Sequence, residues 1–176
     1  SLIEYHIATM KKISTLLDSF SEQTGKIFSW LTVLMVLVMA TIVVLRYVFQ
    51  LGSIALQESV MYINALIFTL GAAYTLKENG HVRVDIFYSK LKQRQQAMVD
   101  LLGTLIFLIP STAFISWVSW GYVSVSWRIK EGSPESSGLA YVYLLKATII
   151  MLAVLLFLQG ISEAIKAINK IRQSKA

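Results

Sequence analysis

The sequence predicts an all-α integral membrane protein with four transmembrane helices plus interfacial amphipathic helices. Three observations carry this. The chain has 176 residues, 56% of them apolar, with a mean hydropathy of +0.63. That is more apolar surface than a soluble domain of this size uses, so lipid is part of its solvent. Four runs with almost no charge reach the about 20 residues that cross a bilayer. The cations, 16 Lys and Arg against 10 Asp and Glu, cluster beside those runs. That placement points to membrane lipids rather than to nucleic acid.

The elements follow in order. Residues 1–26 form an amphipathic, interfacial segment. Ile13, Leu16, Leu17 and Phe20 repeat at helical spacing, with Lys11, Lys12, Asp18 and Glu22 on the wet side. Plain helical extension of the first span is the alternative. Met10-Lys11-Lys12-Ile13 reads like a bacterial start. Residues 1–9 are therefore open as an extension foreign to the native chain, and His6 receives no weight.

A membrane domain over 27–168 follows, with spans at about 27–49, 54–77, 98–127 and 139–165. The first apolar run, Ile27 to Leu45, is too long for a signal-peptide core and lacks a small-x-small cleavage site, so it is read as retained. The third exceeds what hydrocarbon requires and is expected to tilt or project, with a kink at Pro110. The fourth tolerates Lys146 near its start by snorkelling. Val84, Phe87, Tyr88 and Leu91 mark a second amphipathic stretch before the third span, and residues 169–176 form a basic tail. Twelve of the Lys and Arg fall on the side holding both termini and four on the other, which predicts cytoplasmic termini.

Chemistry is sparse. The absence of cysteine excludes thiol catalysis, disulfides and thiolate metal sites. The histidines, His6 and His81, lie outside the apolar runs, where a haem bundle would not place axial ligands. No catalytic residue, substrate-binding residue, metal site or cofactor is expected. Arg46, Glu58 and Lys146 lie near span ends. Arg46 and Glu58 bracket the first hairpin, either paired or each facing water and headgroups.

Other residues read as contacts between helices or with a partner. Asn64 is expected to bond another helix. Ala65, Thr69 and Ala73, with Gly71 and Ala72, form a small-residue face for close helix approach. Ser116, Ser119 and Ser126 share a face of the third span, beside a stripe of Trp117, Trp120 and Trp127. That stripe is either an interfacial aromatic belt or a partner surface. Asn79-Gly80 is a helix stop, and His81 with Asp85, four residues apart, would fix the turn. Gly71, Ala72, Ala73, Gly80, His81 and Asp85 thus form an expected assembly joint rather than a catalytic dyad.

"RYVF" at Arg46 to Phe49, Glu58 ahead of the second span, and "GAAYTLKENGHVRVD" at Gly71 to Asp85 resemble the small membrane subunit of tripartite ATP-independent periplasmic (TRAP) transporters. The resemblance covers most of the four-span region. Family members often carry Trp and an acidic pair where this chain has Ala55, Gln57 and Glu58. The resemblance implies a bacterial inner-membrane scaffold, not an enzyme, serving sodium-driven import of an organic acid such as a dicarboxylate or sialic acid. It implies two partners: a large membrane subunit that carries the substrate and moves as an elevator, and a periplasmic binding protein docking transiently on the outer face. Two other classes stand beside it, a four-helix anchor for a redox enzyme and a self-sufficient small transporter.

Overall fold

The computed structural model describes residues 2–78 and 88–173. Gly80, His81 and Asp85 of the expected joint, with Val84 and Phe87, lie outside the described residues. Most of the described residues are helical. Helix α1 is Leu2–Tyr47, α2 is Ile54–Lys77 and α3 is Gln93–Gly103. A π-helical turn, Thr104–Leu108, leads into α4, Ile109–Ile129, and α5 is Val142–Gln173.

Helix α1 runs 46 residues without a break. At 1.5 Å per residue that is about 69 Å, against about 30 Å of hydrocarbon. The amphipathic N-terminal stretch is thus a direct helical extension of the first span. Gln50, with φ 56°, turns the chain back toward α2, whose first turn is capped by Ser53 Oγ accepting from Leu56 N at 3.3 Å. From Gln93 to Ile129 the chain is continuously helical for 37 residues, about 56 Å at 1.5 Å per residue, which is longer than hydrocarbon requires. The interruption there is the π turn, just ahead of Pro110. Ile109 N bonds back to Thr104 O, five residues away. A wide turn of this kind takes up the misfit of a proline, which lacks a donor and crowds the preceding turn.

Helix α5 is the hub: α1, α2, α3, the π turn and α4 all pack on it, and α1 also packs along α2. The interior is made mainly of small residues, with Val123, Leu155 and Gln159 the larger buried ones. Ala73, Ala97, Ala153, Ala164 and Ala167 are buried, together with Thr69, Thr112, Ser126 and Ser162. The large apolar side chains face outward, Phe68, Phe107, Phe114 and Trp117 among them. In lipid this inversion is physically sensible. Hydrocarbon offers no hydrophobic drive to helix association, so close backbone approach and polar bonds hold the bundle.

Candidate assembly site

At the end of the bundle opposite the termini, Glu58 on α2 grips the loop between α4 and α5. One carboxylate oxygen accepts from Ser133 Oγ, and the other accepts from Leu139 N at 2.6 Å. Glu58 therefore turns to this loop and not to Arg46, which stays exposed. Gly138 makes the grip possible: a Cβ there would run into Ser133 Oγ and sit 2.7 Å from Glu58 Oε1. Lys146 pairs with Glu131 at 2.6 Å and lies 4.1 Å from the Tyr122 ring centre. The hydrogen bond from Lys146 holds the Glu131 carboxyl below the ordinary carboxylate range. Lys130, in the left-handed conformation at φ 51°, places its ammonium 4.9 Å and 4.8 Å from the Trp127 and Tyr143 ring centres. Removing the Glu58 carboxylate strips two hydrogen bonds to a charged acceptor. Glu58→Ala is expected to free the loop while leaving the helices folded. Limited proteolysis checks this: faster cleavage within residues 130–141 with unchanged helical circular dichroism is the expected result.

At the end carrying the termini, α1 and α5 are joined by a polar zipper. Ser14 Oγ and Ser162 Oγ are 2.9 Å apart. Ser162 Oγ also lies 2.8 Å from Asp18 Oδ1. Gln159 is 1% exposed and uses its whole amide: it accepts from Ser21 Oγ at 2.5 Å and donates to Asp18 at 3.1 Å and Glu163 at 3.0 Å. Lys166 bridges Asp18 at 2.8 Å and Glu163 at 2.9 Å. Buried polar groups closed on one another in this way fix register as well as adding energy.

Between the two ends, α1 and α2 touch through glycines. The tight one is Gly25, where a Cβ would lie 2.5 Å from the Tyr74 ring. Gly71, the glycine expected in the joint, faces Phe28 at an ordinary 3.7 Å. The Phe28 and Tyr74 rings are 6.0 Å apart, and Lys77 reaches Glu22 at 3.5 Å. Thr69 and Ala73 of the small-residue face are 2% and 1% exposed, with Ala65 and Ala72 half-buried beside them.

A bundle with four helices long and apolar enough to cross a bilayer, closed polar braces and an apolar exterior has the build of a membrane protein. Comparison with family models agrees, matching residues 34–170 to the DctQ component of tripartite ATP-independent periplasmic transporters. The chain belongs to the DctQ family. Comparisons with curated proteins and with solved structures returned no match. A DctQ chain is the small component of a TRAP transporter and works with a large membrane subunit and a periplasmic binding protein. The match begins beyond the α1 half of the zipper, which lies in residues 14–21.

For a DctQ subunit, the residues left on the outside matter most. Asn64 points outward from α2 and bonds no other helix of the chain among the described residues. Trp117 and Trp120 are 77% and 66% exposed on α4. Ser116, half-buried, bonds back to Thr112 O of its own helix at 2.9 Å, and Ser119 is half-buried. Ser126 is buried at 1%, while Trp127 sits edge-on to Tyr143 at 5.1 Å.

Sequence reasoning missed the zipper. Its signal was nonetheless present. Gln159, Ser162, Glu163 and Lys166 fall at i, i+3, i+4 and i+7, and Ser14, Asp18 and Ser21 at i, i+4 and i+7. Two polar stripes at the same end of an antiparallel helix pair are complementary.

Proposed function

We propose that this DctQ subunit is the noncatalytic scaffold of a sodium-coupled, binding-protein-dependent importer of an organic acid, a dicarboxylate or a sialic acid. In this reading it lies in the bacterial inner membrane with both termini cytoplasmic, as the distribution of its cations favours. It braces the large membrane subunit and offers the loop gripped by Glu58 to the binding protein. The observation that carries the reading is the fate of the polar groups in the helices. Gln159 and Ser162 are closed into the zipper, and Glu58 and Lys146 are committed to the loop at the other end. A carboxylate substrate crossing hydrocarbon needs donors or cations presented at depth, which transport folds commonly supply from broken half-helices. Here α2 and α5 run unbroken for 24 and 32 residues.

The test is sodium-driven uptake into proteoliposomes holding this chain alone, the large subunit alone, or both, each with binding protein present. Uptake is expected to need the large subunit and to be strongest with both. Saturable uptake by this chain alone would overturn the scaffold reading.

A further inference from the structure

We infer that the large membrane subunit docks a transmembrane helix on one stripe of α2, and that the Asn64 amide makes the polar contact there. The inference rests on the scaffold reading and adds the face and the bond. Within α2 the exposed side chains are Ile54, Gln57, Met61, Asn64 and Phe68 and no others. Their steps are three, four, three and four residues. That is the spacing of a seam between two helices crossing at about +20°, not the broad arc that lipid solvates. The contrast with α1 is plain: Val36, Leu37, Met39, Val43 and Val44 are all exposed there over a wide surface.

Depth adds the second argument. Asn64 lies about 15 Å along the helix from Ile54 and about 20 Å from Lys77 at 1.5 Å per residue, which is the middle of the span. An amide at that depth has two donors and an acceptor to satisfy, and lipid tails satisfy none. On the first span, two outward hydroxyls solve this internally. Thr32 and Thr41 bond to the carbonyls of Phe28 and Leu37, four residues back, at 3.0 Å and 2.8 Å. The buried amide of Gln159 is fully bonded within the chain. Asn64 makes no bond within the described residues. Its complement is therefore a hydrogen-bonding group at mid-membrane depth on another protein.

The occupant is the large subunit rather than a second copy. The DctQ family works with a large membrane subunit. The stripe supplies five residues, where a stable interface takes about 20–30 residues a side. A stable contact that includes this stripe must therefore continue onto neighbouring helices. Met61 at 58% and Phe68 at 67% exposure flank Asn64 and supply the apolar anchors.

The experiment uses the complex of this chain, the large subunit and the binding protein. Photo-crosslinking residues are placed singly at positions 61 and 68, with position 117 on α4 for comparison. Crosslinks from 61 and 68 to the large subunit are expected. Asn64→Leu is expected to weaken capture of the large subunit about tenfold, the effect of one buried polar contact worth about 1–2 kcal/mol. Asn64→Gln should retain most of it. The isolated Asn64→Leu chain should melt no lower than wild type, because leucine suits a lipid-facing position. Crosslinks from 117 with none from 61 and 68, or crosslinks only to a second copy, would overturn the assignment while leaving the scaffold reading intact. Undiminished capture by Asn64→Leu would also overturn it. Failure of the wild-type chain to capture the large subunit would sink the scaffold reading and the inference together.

Discussion

Gly25→Val is expected to destabilise the isolated chain by about 1–3 kcal/mol, the usual cost of forcing extra bulk into a packed site. The added Cβ would lie 2.5, 2.8 and 2.9 Å from Cδ2, Cγ and Cε2 of Tyr74. Because Cγ is the base of the ring, rotation about the ring axis gives no relief, and either Tyr74 leaves this rotamer or α1 and α2 separate. Phe28 packs on the same ring, with centroids 6.0 Å apart, so the disturbance spreads along the helix pair. Gly71→Ala is the matched control. Its Cβ meets Phe28 at 3.7 Å, ordinary contact, and alanine favours the helix by up to about 1 kcal/mol. Thermal unfolding in detergent should therefore give Gly25→Val a clearly lower midpoint than wild type, and Gly71→Ala an equal or higher one. Adding Tyr74→Ala to Gly25→Val should return part of the loss, since it opens the space. Equal midpoints for Gly25→Val and Gly71→Ala would remove close approach at Gly25 as a feature of the fold.

The four spans were legible because bilayer thickness imposes length on an apolar run, and length is written directly in sequence. Thr69 and Ala73 were legible for a related reason: small residues at helical spacing serve close approach, and both are buried. The choice between Gly25 and Gly71 was not legible. Both are helical glycines, and only the three-dimensional meeting with Tyr74 or Phe28 separates them. Glu58 shows the same limit. Its nearest cation in sequence terms was Arg46, yet a backbone N–H at Leu139 and a hydroxyl at Ser133 take the carboxylate, because the α4–α5 loop folds over the start of α2. The N-terminal amphipathic stretch was read from its apolar stripe. The structure leaves Ile13, Leu16 and Phe20 on the outside, at 44%, 63% and 50% exposure, with Lys11, Lys12 and Glu22 also exposed, and packs Ser14, Asp18 and Ser21 inward. That inward packing follows from α5 supplying a matching polar stripe, which hydrophobic periodicity alone does not register.

Gln159→Leu should reveal what that polar stripe contributes. The change keeps the volume roughly constant and makes the helix more apolar, so a purely hydrophobic account predicts gain. The hydrogen-bond account predicts loss. Gln159 is 1% exposed, and its removal strips a donor from Asp18, a donor from Glu163 and an acceptor from Ser21. A buried polar group left unpaired costs about 1–3 kcal/mol. Asp18 and Glu163 keep Lys166 as a partner, whereas Ser21, 4% exposed, loses the acceptor of its hydroxyl, so a total of about 3 kcal/mol is the expected scale. Lys166→Met tests the ionic half. It removes the cation between Asp18 and Glu163, whose side chains are 23% and 18% exposed. Water reaching the site screens the pair, so the loss should fall below that of a fully buried one. The diagnostic result is the coupling. Asp18→Asn combined with Lys166→Met should cost less than the sum of the two single changes, because the first removes the charge that the second leaves unpaired. Unfolding measured by hydrogen exchange should localise the loss to residues 14–21 and 159–166. Strict additivity, with no change in exchange there, would mean that solvent already uncouples the pair. The register of α1 on α5 would then be set by Ser14, Ser21, Gln159 and Ser162 alone.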